Sequence, residues 1–127
     1  MRIGFEFLLI GLGGAVGAAV RYSINEIAIR FTSGAFPVGT LVANLAGCFM
    51  IGMLLGSGLG EKSEALRLGF GVGFLGALTT FSTFGADTIT RIDEGQWGIA
   101  LLNVAANVLL GLTCVVLGMV AGKKLYA

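Results

Sequence analysis

Charged residues in this chain occur in short groups, and the segments between those groups carry no charge at all. Three uncharged tracts run over residues 31–60, 68–86 and 95–122. Each tract can supply the roughly 20 apolar residues that a helix needs to cross a hydrocarbon core about 30 Å thick. Lipid must therefore solvate much of the surface, which restricts the fold to structures that satisfy their own backbone hydrogen bonds.

A fourth apolar tract, residues 7–20, is shorter than the others. It reaches a full crossing if residues 3–5 are added and Glu6 extends its carboxylate toward the interface. A cleaved signal peptide is the weaker alternative, since Arg2 precedes the apolar run but no soluble domain follows it. We therefore predict an all-α integral membrane protein, a single membrane domain over residues 1–127, with helices at about 3–30, 37–58, 66–90 and 96–122.

Positive residues are divided almost evenly between the two sides of the predicted bundle. Five would lie with the termini and the second loop, and three would lie on the opposite side. They are Arg2, Lys62, Arg67, Lys123 and Lys124 against Arg21, Arg30 and Arg91. This is a weak bias under the positive-inside rule, so insertion in both orientations stays open.

The third apolar tract has an irregular composition. Gly76 precedes the run Thr-Thr-Phe-Ser-Thr-Phe at residues 79–84, which contains four hydroxyl side chains. Such hydroxyls can bond backbone carbonyls and support a break, which survives at membrane depth only where protein or water surrounds it. A continuous helix whose hydroxyls bond their own backbone fits these residues equally well.

Glycine is abundant, with 22 residues in the chain. Small residues recur at helical spacing in two tracts, as Gly52, Gly56 and Gly60 in one and as Gly118 and Gly122 in the other. This spacing lets helix backbones approach closely in lipid. The sequence therefore predicts a densely packed bundle.

Several functional classes are disfavoured by composition. The chain has no histidine, only the isolated cysteines Cys48 and Cys114, and no carboxylate pair inside an apolar tract. An enzyme is the least expected class, because no nucleophile has a base beside it in sequence. The formal net charge of +1 and the lack of a basic run argue against nucleic acid as a partner.

The polar groups expected at membrane depth are uncharged amides and hydroxyls. They are Thr40, Asn44, Thr79, Thr80, Ser82, Thr83, Asn103 and Asn107. Neutral donors can replace part of the hydration shell of an anion without trapping it, so together they favour a path for a small anion. The alternative for any single asparagine is one interhelical hydrogen bond that holds two helices together.

Phe81 and Phe84 share one face of a helix by their spacing. An aromatic ring has a positive edge, so its hydrogens can face an anion. Packing is the more common role of phenylalanine in a membrane helix, and the residues alone favour it here.

Three segments resemble the Fluc/CrcB family of fluoride channels. They are Gly-Thr-Leu-Val-Ala-Asn-Leu-Ala-Gly at residues 39–47, Gly-Ala-Leu-Thr-Thr-Phe-Ser-Thr-Phe at 76–84 and Ala-Leu-Leu-Asn-Val-Ala-Ala-Asn at 100–107. The likeness covers nearly the whole chain, and residues 79–84 are its most specific element. It implies passive export of fluoride from a microbial cell across the bacterial plasma or inner membrane. It also implies an antiparallel, dual-topology homodimer with two pores, and a break in the third helix near residues 76–83.

The resemblance also implies roles for individual residues. Asn44, Phe81 and Phe84 would line the fluoride path, with hydroxyl donors from Ser82 and Thr83. Residues of the wider polar path would be Thr40, Asn103 and Asn107.

A structural sodium ion, which is not transported, is implied by the same resemblance. The backbone carbonyls of Gly76 and Thr79 from both subunits would hold it. Many relatives have glycine where this chain has Ala77, and the added methyl bears on the geometry of that site. Arg21 would lie near a vestibule, or would form an ordinary ion pair with Glu26 or a lipid headgroup.

Two other classes remain as rivals to a channel. A small multidrug transporter also has four short helices, but it depends on a carboxylate deep in its first helix, and Glu6 is too close to the terminus. A noncatalytic scaffold subunit would account for the glycine-rich faces. Dye efflux would support the first rival, and a lack of any fluoride phenotype would support the second.

Overall fold

A computed structural model describes residues 2–126 and is helical almost throughout. Four long helices, Arg2–Phe31, Val38–Ser57, Leu66–Asp93 and Trp97–Leu125, are apolar and long enough to cross a membrane. We refer to them as the first to the fourth helix. A single-turn helix, Leu59–Lys62, connects the second helix to the third. The prediction of four membrane helices is confirmed.

Proline and glycine mark the helix boundaries. Pro37 directly precedes the second helix, where its missing N–H costs no intrahelical hydrogen bond. Gly58 ends that helix with φ +65°, a left-handed conformation that glycine adopts without strain, and its N–H bonds the carbonyl of Leu55 at 3.3 Å. Gly95, with φ +73°, has the same conformation after the third helix.

The third helix is interrupted at two residues. Thr79 has φ −81° and ψ 152°, and Thr80 has φ −150° and ψ 119°, so both are extended. Residues 66–78 precede the interruption and Phe81–Asp93 follows it. Leu66–Leu75 and, in the fourth helix, Ala106–Leu110 are wound as wider π-helical turns. Of the two conformations left open by the sequence, the structure therefore has the break.

Glycine brings the second and fourth helices into backbone contact. A Cβ on Gly52 would collide with the carbonyl of Val115, and a Cβ on Gly118 would collide with the carbonyl of Phe49. Gly56 and Gly122 make equivalent approaches. The expectation that Gly60 continues this face is wrong, because it lies in the single-turn helix, and its nearest neighbour there is the side chain of Leu54.

The first helix packs against the beginning of the third in the same manner. A Cβ on Gly13 would collide with the carbonyl of Gly69, and one on Gly17 with the carbonyl of Phe74. Near the middle of the bundle, Ala43, Leu75 and Leu78 form the buried apolar core. These close approaches fix the first half of the third helix, and so fix where the break begins.

Two ion-pair clusters mark opposite ends of the bundle. At one end, Arg2 contacts Glu64 at 3.2 Å and so ties the start of the first helix to the start of the third. At the other end, Arg91 donates to the carbonyl of Gly34 at 2.8 Å and pairs with Glu94 at 2.9 Å. Between these ends the outward surface is dominated by exposed large apolar side chains. Such a surface suits lipid, and the chain is a multi-pass membrane protein.

Candidate functional site

A cavity of about 450 Å³ lies beside the break in the third helix. It is bounded by the second helix, both segments of the third and the fourth. The amide, hydroxyl and aromatic side chains in its wall are those of Asn44, Thr79, Thr80, Phe81, Phe84 and Asn107. The rest of the wall is mainly apolar, so a few convergent polar groups face a largely apolar space, as is typical of ligand sites.

Asn44 supports the broken segment directly. Its Oδ1 accepts a hydrogen bond from the backbone N–H of Thr80 at 2.8 Å, and its Nδ2 donates to the carbonyl of Thr80 at 3.2 Å. Both backbone groups of an extended residue at membrane depth are thereby satisfied. One side chain of the second helix therefore replaces the helical hydrogen bonds that Thr80 lacks.

A chain of amides continues from Asn44 into the fourth helix. Nδ2 of Asn44 also donates to Oδ1 of Asn107 at 2.9 Å, and Nδ2 of Asn107 donates to Oδ1 of Asn103 at 3.0 Å. Asn103, which is fully buried, donates to the hydroxyl of Thr88 at 3.0 Å, and Thr88 donates to the carbonyl of Phe84 at 2.8 Å. The chain links the second, third and fourth helices, and the carbonyl of Thr80 and Oδ1 of Asn107 together occupy both donors of Asn44.

Thr80 also caps the second segment of the third helix. Its Oγ1 accepts from the backbone N–H of Thr83 at 3.2 Å, as an N-cap side chain does. The same hydroxyl donates to Oγ1 of Thr83 at 3.1 Å and lies 3.2 Å from Oγ of Ser82. Ser82 is exposed and Thr83 is half-buried, so this hydroxyl cluster lies at the edge of the break.

At the break, two backbone N–H groups do not bond the carbonyls that they would bond in a continuous helix. In a continuous helix the N–H of Thr80 would bond the carbonyl of Gly76, but here it bonds Asn44. The N–H of Thr83 would bond the carbonyl of Thr79, but here it bonds the side chain of Thr80. The Gly76 and Thr79 carbonyls thus lose these helical partners, which leaves two oxygen atoms of the kind that coordinate hard cations.

Arg21 lies next to these carbonyls. Its Nε donates to the carbonyl of Ala77 at 3.0 Å, so the guanidinium of the first helix contacts the last turn before the break. Within residues 2–126, the ion pairs are made by Arg2, Arg67 and Arg91. Arg21 therefore contacts a backbone carbonyl in the described part of the chain, and the expected pair with Glu26 does not form there.

The two phenylalanines differ in their surroundings. The ring of Phe81 is 83% exposed, whereas that of Phe84 is only 9% exposed. Their centroids are 5.4 Å apart with planes inclined at 57°, so each presents a different part of its ring to the other. Phe84 belongs to the packed wall, and Phe81 projects from the open side of the cavity.

The residues singled out from the sequence do not all converge on one point. Asn44, Asn107, Thr79, Phe81, Phe84 and Gly76 line the cavity. Asn103 lies behind it in the amide chain, and buried Thr40 instead donates to Oδ2 of Asp87 at 3.0 Å. Ser82, Thr83 and Arg21 lie outside the cavity wall.

Sequence reasoning missed four contributors, namely Gly47, Thr80 as a cap, Asp87 and Thr88. A Cβ on Gly47 would collide with Cγ2 of Thr79, so this glycine makes room for the break. Thr80 precedes a helical segment, and the preference for threonine at such positions could have indicated the cap. The contacts of Asp87 and Thr88 depend on how separate helices align, which no local pattern reveals.

These features define a multi-pass membrane protein in which a mainly apolar cavity with a few polar groups adjoins a broken helix. Residues 8–119 match the sequence model of the family described as CrcB-like protein, Camphor Resistance (CrcB). The chain belongs to this family.

Curated relatives resemble the chain over most of its length. A protein of Dehalococcoides mccartyi named fluoride-specific ion channel FluC is 42% identical over 122 residues, which cover 94% of each chain. Proteins of the same name from Shewanella frigidimarina and Shewanella putrefaciens are 45% and 46% identical. Each of these two alignments covers 87% of this chain and 90% of the relative.

Proposed function

We propose that this chain is a fluoride-selective channel that lets fluoride leave the cell passively across the bacterial plasma or inner membrane. The observation that carries the proposal is the break at Thr79 and Thr80, which brings neutral polar groups and a pair of phenylalanines to one cavity. The names of its relatives support fluoride as the ion. Because those relatives are ion channels, the prediction that the chain is not an enzyme is confirmed.

A path for fluoride must replace water without binding the ion tightly. Moving a small ion into a medium of low dielectric constant costs of order 20 kcal/mol in the idealised limit. The hydroxyls of Ser82 and Thr83 and the ring edges of Phe81 and Phe84 supply partial positive charge without a full cation. A lysine or arginine side chain in the wall of the path itself would hold the anion instead of passing it on.

Asn44 and Asn107 are the amides in the wall of this path; Asn103 lies behind them in the amide chain, and Thr40 is one helical turn before Asn44 in the second helix. Because both donors of Asn44 are engaged, one by the carbonyl of Thr80 and one by Asn107, we propose that it acts mainly by holding the break open beside the ion. The connected amides keep their orientation, which limits the reorganisation needed when an anion arrives.

We further propose that the working unit is an antiparallel homodimer of oppositely inserted subunits with two pores. Phe81 is 83% exposed and Gly76 is also exposed at the cavity, so one chain leaves this side of the path open. A second copy would cover it and add its own phenylalanines. The weak charge bias of the sequence is compatible with both orientations of insertion.

A sodium ion fits the released carbonyls of Gly76 and Thr79. Carbonyl oxygens are suitable ligands for a hard cation, and two chains would supply four of them. When bound, the ion would offset the negative ends of these carbonyl dipoles and brace the break. Arg21 contributes a positive charge close by, which raises the local concentration of anions at a vestibule.

The direct test is ion efflux from liposomes that contain the purified protein. Electrodes selective for fluoride and for chloride follow the two ions under matched gradients. Rapid fluoride release without chloride release is expected. Release of both ions would count against selectivity, and release of neither would refute the channel.

A further inference from the structure

A second cavity, of about 310 Å³, lies at the end of the bundle that carries the single-turn helix. Its wall is apolar, with Met50, Met53 and Leu54 from the second helix and Leu66 and Phe70 from the third. It shares no lining residue with the cavity at the break. Its volume is in the range of small-molecule sites, and its chemistry suits a hydrocarbon.

The two polar side chains that line this second cavity, Ser57 and Tyr126, do not indicate a polar ligand inside it. The hydroxyl of Ser57 donates to the carbonyl of Leu54 at 3.0 Å and accepts from the N–H of Leu59 at 3.3 Å. Tyr126, which is 54% exposed, reaches the cavity from the last turn of the fourth helix. An occupant would therefore find apolar contacts within and polar groups only at the mouth.

Three lysines belong to the chain segments that form this end of the cavity. A Cβ on Gly122 would lie 2.8 Å from the backbone nitrogen of Ser57, so Lys123 and Lys124 begin directly beside the cavity wall. Lys62 is one turn beyond the lining residue Leu59 in the single-turn helix. All three lysines are exposed, and they are absent from the ion pairs of residues 2–126.

The carboxylates at the same end do not cancel this charge. Glu64 contacts Arg2 at 3.2 Å and Arg67 at 3.9 Å, so it is already matched by cations. Glu61 is the one other acidic residue between the second and third helices. Glu6, at the same end, also contacts Arg2, at 3.9 Å, so among residues 2–126 Glu61 is the one acidic side chain at this end that has no ion pair.

We propose that this cavity binds one acyl chain of an anionic phospholipid, with its phosphate among Lys62, Lys123 and Lys124. A bilayer supplies such lipids at high local concentration, and basic pockets between membrane helices favour anionic headgroups. The site is separate from the proposed fluoride path. It would tie the single-turn helix to the end of the fourth helix.

The test is native mass spectrometry of the full chain in detergent, titrated with phosphatidylglycerol or with phosphatidylcholine of the same acyl chains. The parent protein should retain phosphatidylglycerol preferentially. K62Q/K123Q/K124Q should lower that preference on the order of tenfold, because each lysine near a headgroup adds attraction. R30Q, at the opposite end, should leave it unchanged.

A cavity-filling substitution separates a specific site from general attraction. Leu66→Trp should reduce retention of phosphatidylglycerol, whereas Leu112→Trp on an exposed part of the fourth helix should not. If the tryptophan prevents folding, as measured by circular dichroism, Leu66→Phe is used in its place. Equal retention of both lipids by the parent protein, or retention unaffected by filling the cavity, would overturn the proposal.

Discussion

The side-chain amide of Asn44 bonds both backbone groups of Thr80, accepting from the N–H at 2.8 Å and donating to the carbonyl at 3.2 Å. This pair joins the second helix to the one place where the third helix loses its own hydrogen bonds. The stability of the break therefore depends on a side chain 36 residues away in sequence.

Removing the amide should weaken the break. Asn44→Ala leaves the N–H and the carbonyl of Thr80 without these partners, at a cost of about 1–3 kcal/mol for each unsatisfied buried group. We expect a lower thermal midpoint and fluoride efflux reduced at least tenfold. Asn44→Asp keeps the acceptor for the N–H but places a carboxylate oxygen against the carbonyl of Thr80 and Oδ1 of Asn107, so its loss of stability should be at least as large. Thr113→Val, which removes a hydroxyl bonded within its own helix, is the control.

The cap that Thr80 provides can be tested separately from the two hydrogen bonds that Asn44 makes to the Thr80 backbone. Thr80→Val removes the acceptor for the N–H of Thr83 and should destabilise the protein by about 1 kcal/mol. Thr80→Ser keeps the hydroxyl and should restore stability. Thr79→Val is a matched control, because the Thr79 hydroxyl only bonds back to the carbonyl of Leu75 in the preceding turn. Chemical unfolding in detergent measures the differences, and equal midpoints for the two valine variants would contradict the assigned cap.

The exposed phenylalanine should matter for conduction more than for folding. Phe81→Ile removes an aromatic edge but keeps a bulky apolar side chain, and Phe81, at 83% exposed, makes few contacts within its own subunit, so the thermal midpoint should change little while fluoride efflux falls at least tenfold. Phe31→Ile is the matched control, since Phe31 is also 83% exposed but ends the first helix. Unchanged efflux in Phe81→Ile would remove this ring from the path.

Phe84 should affect both conduction and folding stability. Its ring is 9% exposed, so Phe84→Ile leaves unfilled space in the wall and should lower stability by about 1 kcal/mol or more. Efflux should fall as well, because the second ring edge is lost. Lower stability with normal efflux would show that Phe84 only packs, and a variant unchanged in both properties would contradict both roles.

The contact between the second and fourth helices should tolerate no methyl group. Gly118→Ala places a Cβ against the backbone carbonyl of Phe49, which cannot move without displacing a helix. We expect a loss of about 1–3 kcal/mol, the usual effect of overpacking. Gly98→Ala, where nothing lies within 4 Å, should be neutral or stabilising because alanine favours helices. Equal effects of the two substitutions would argue against the close approach.

The proposed sodium site predicts a specific ion dependence. Exchanging sodium for N-methylglucamine should lower the thermal midpoint, since the carbonyls of Gly76 and Thr79 would then lose their cation. Adding sodium back should restore the midpoint with saturation, and potassium should be less effective. A midpoint that is the same in all three salts would refute the site.

The segregation of charge and the glycine spacing determined much of the fold from sequence alone. A helix must have about 20 apolar residues to cross the bilayer, so the uncharged tracts left little choice about the number of helices. Small residues at positions such as Gly52 and Gly118 similarly indicated close packing, because backbone approach in lipid requires them. The motif at residues 79–84 identified the family by resemblance.

Only the tertiary structure decided how the polar groups are used. Composition and spacing were equally compatible with a break and with a continuous helix at Thr79 and Thr80, and only the family resemblance implied the break. Asn44 resolves the choice by supplying two hydrogen bonds from another helix, and Asn107 fixes its orientation. Contacts of this kind depend on the relative rotation and depth of packed helices, and no spacing within one helix encodes those quantities.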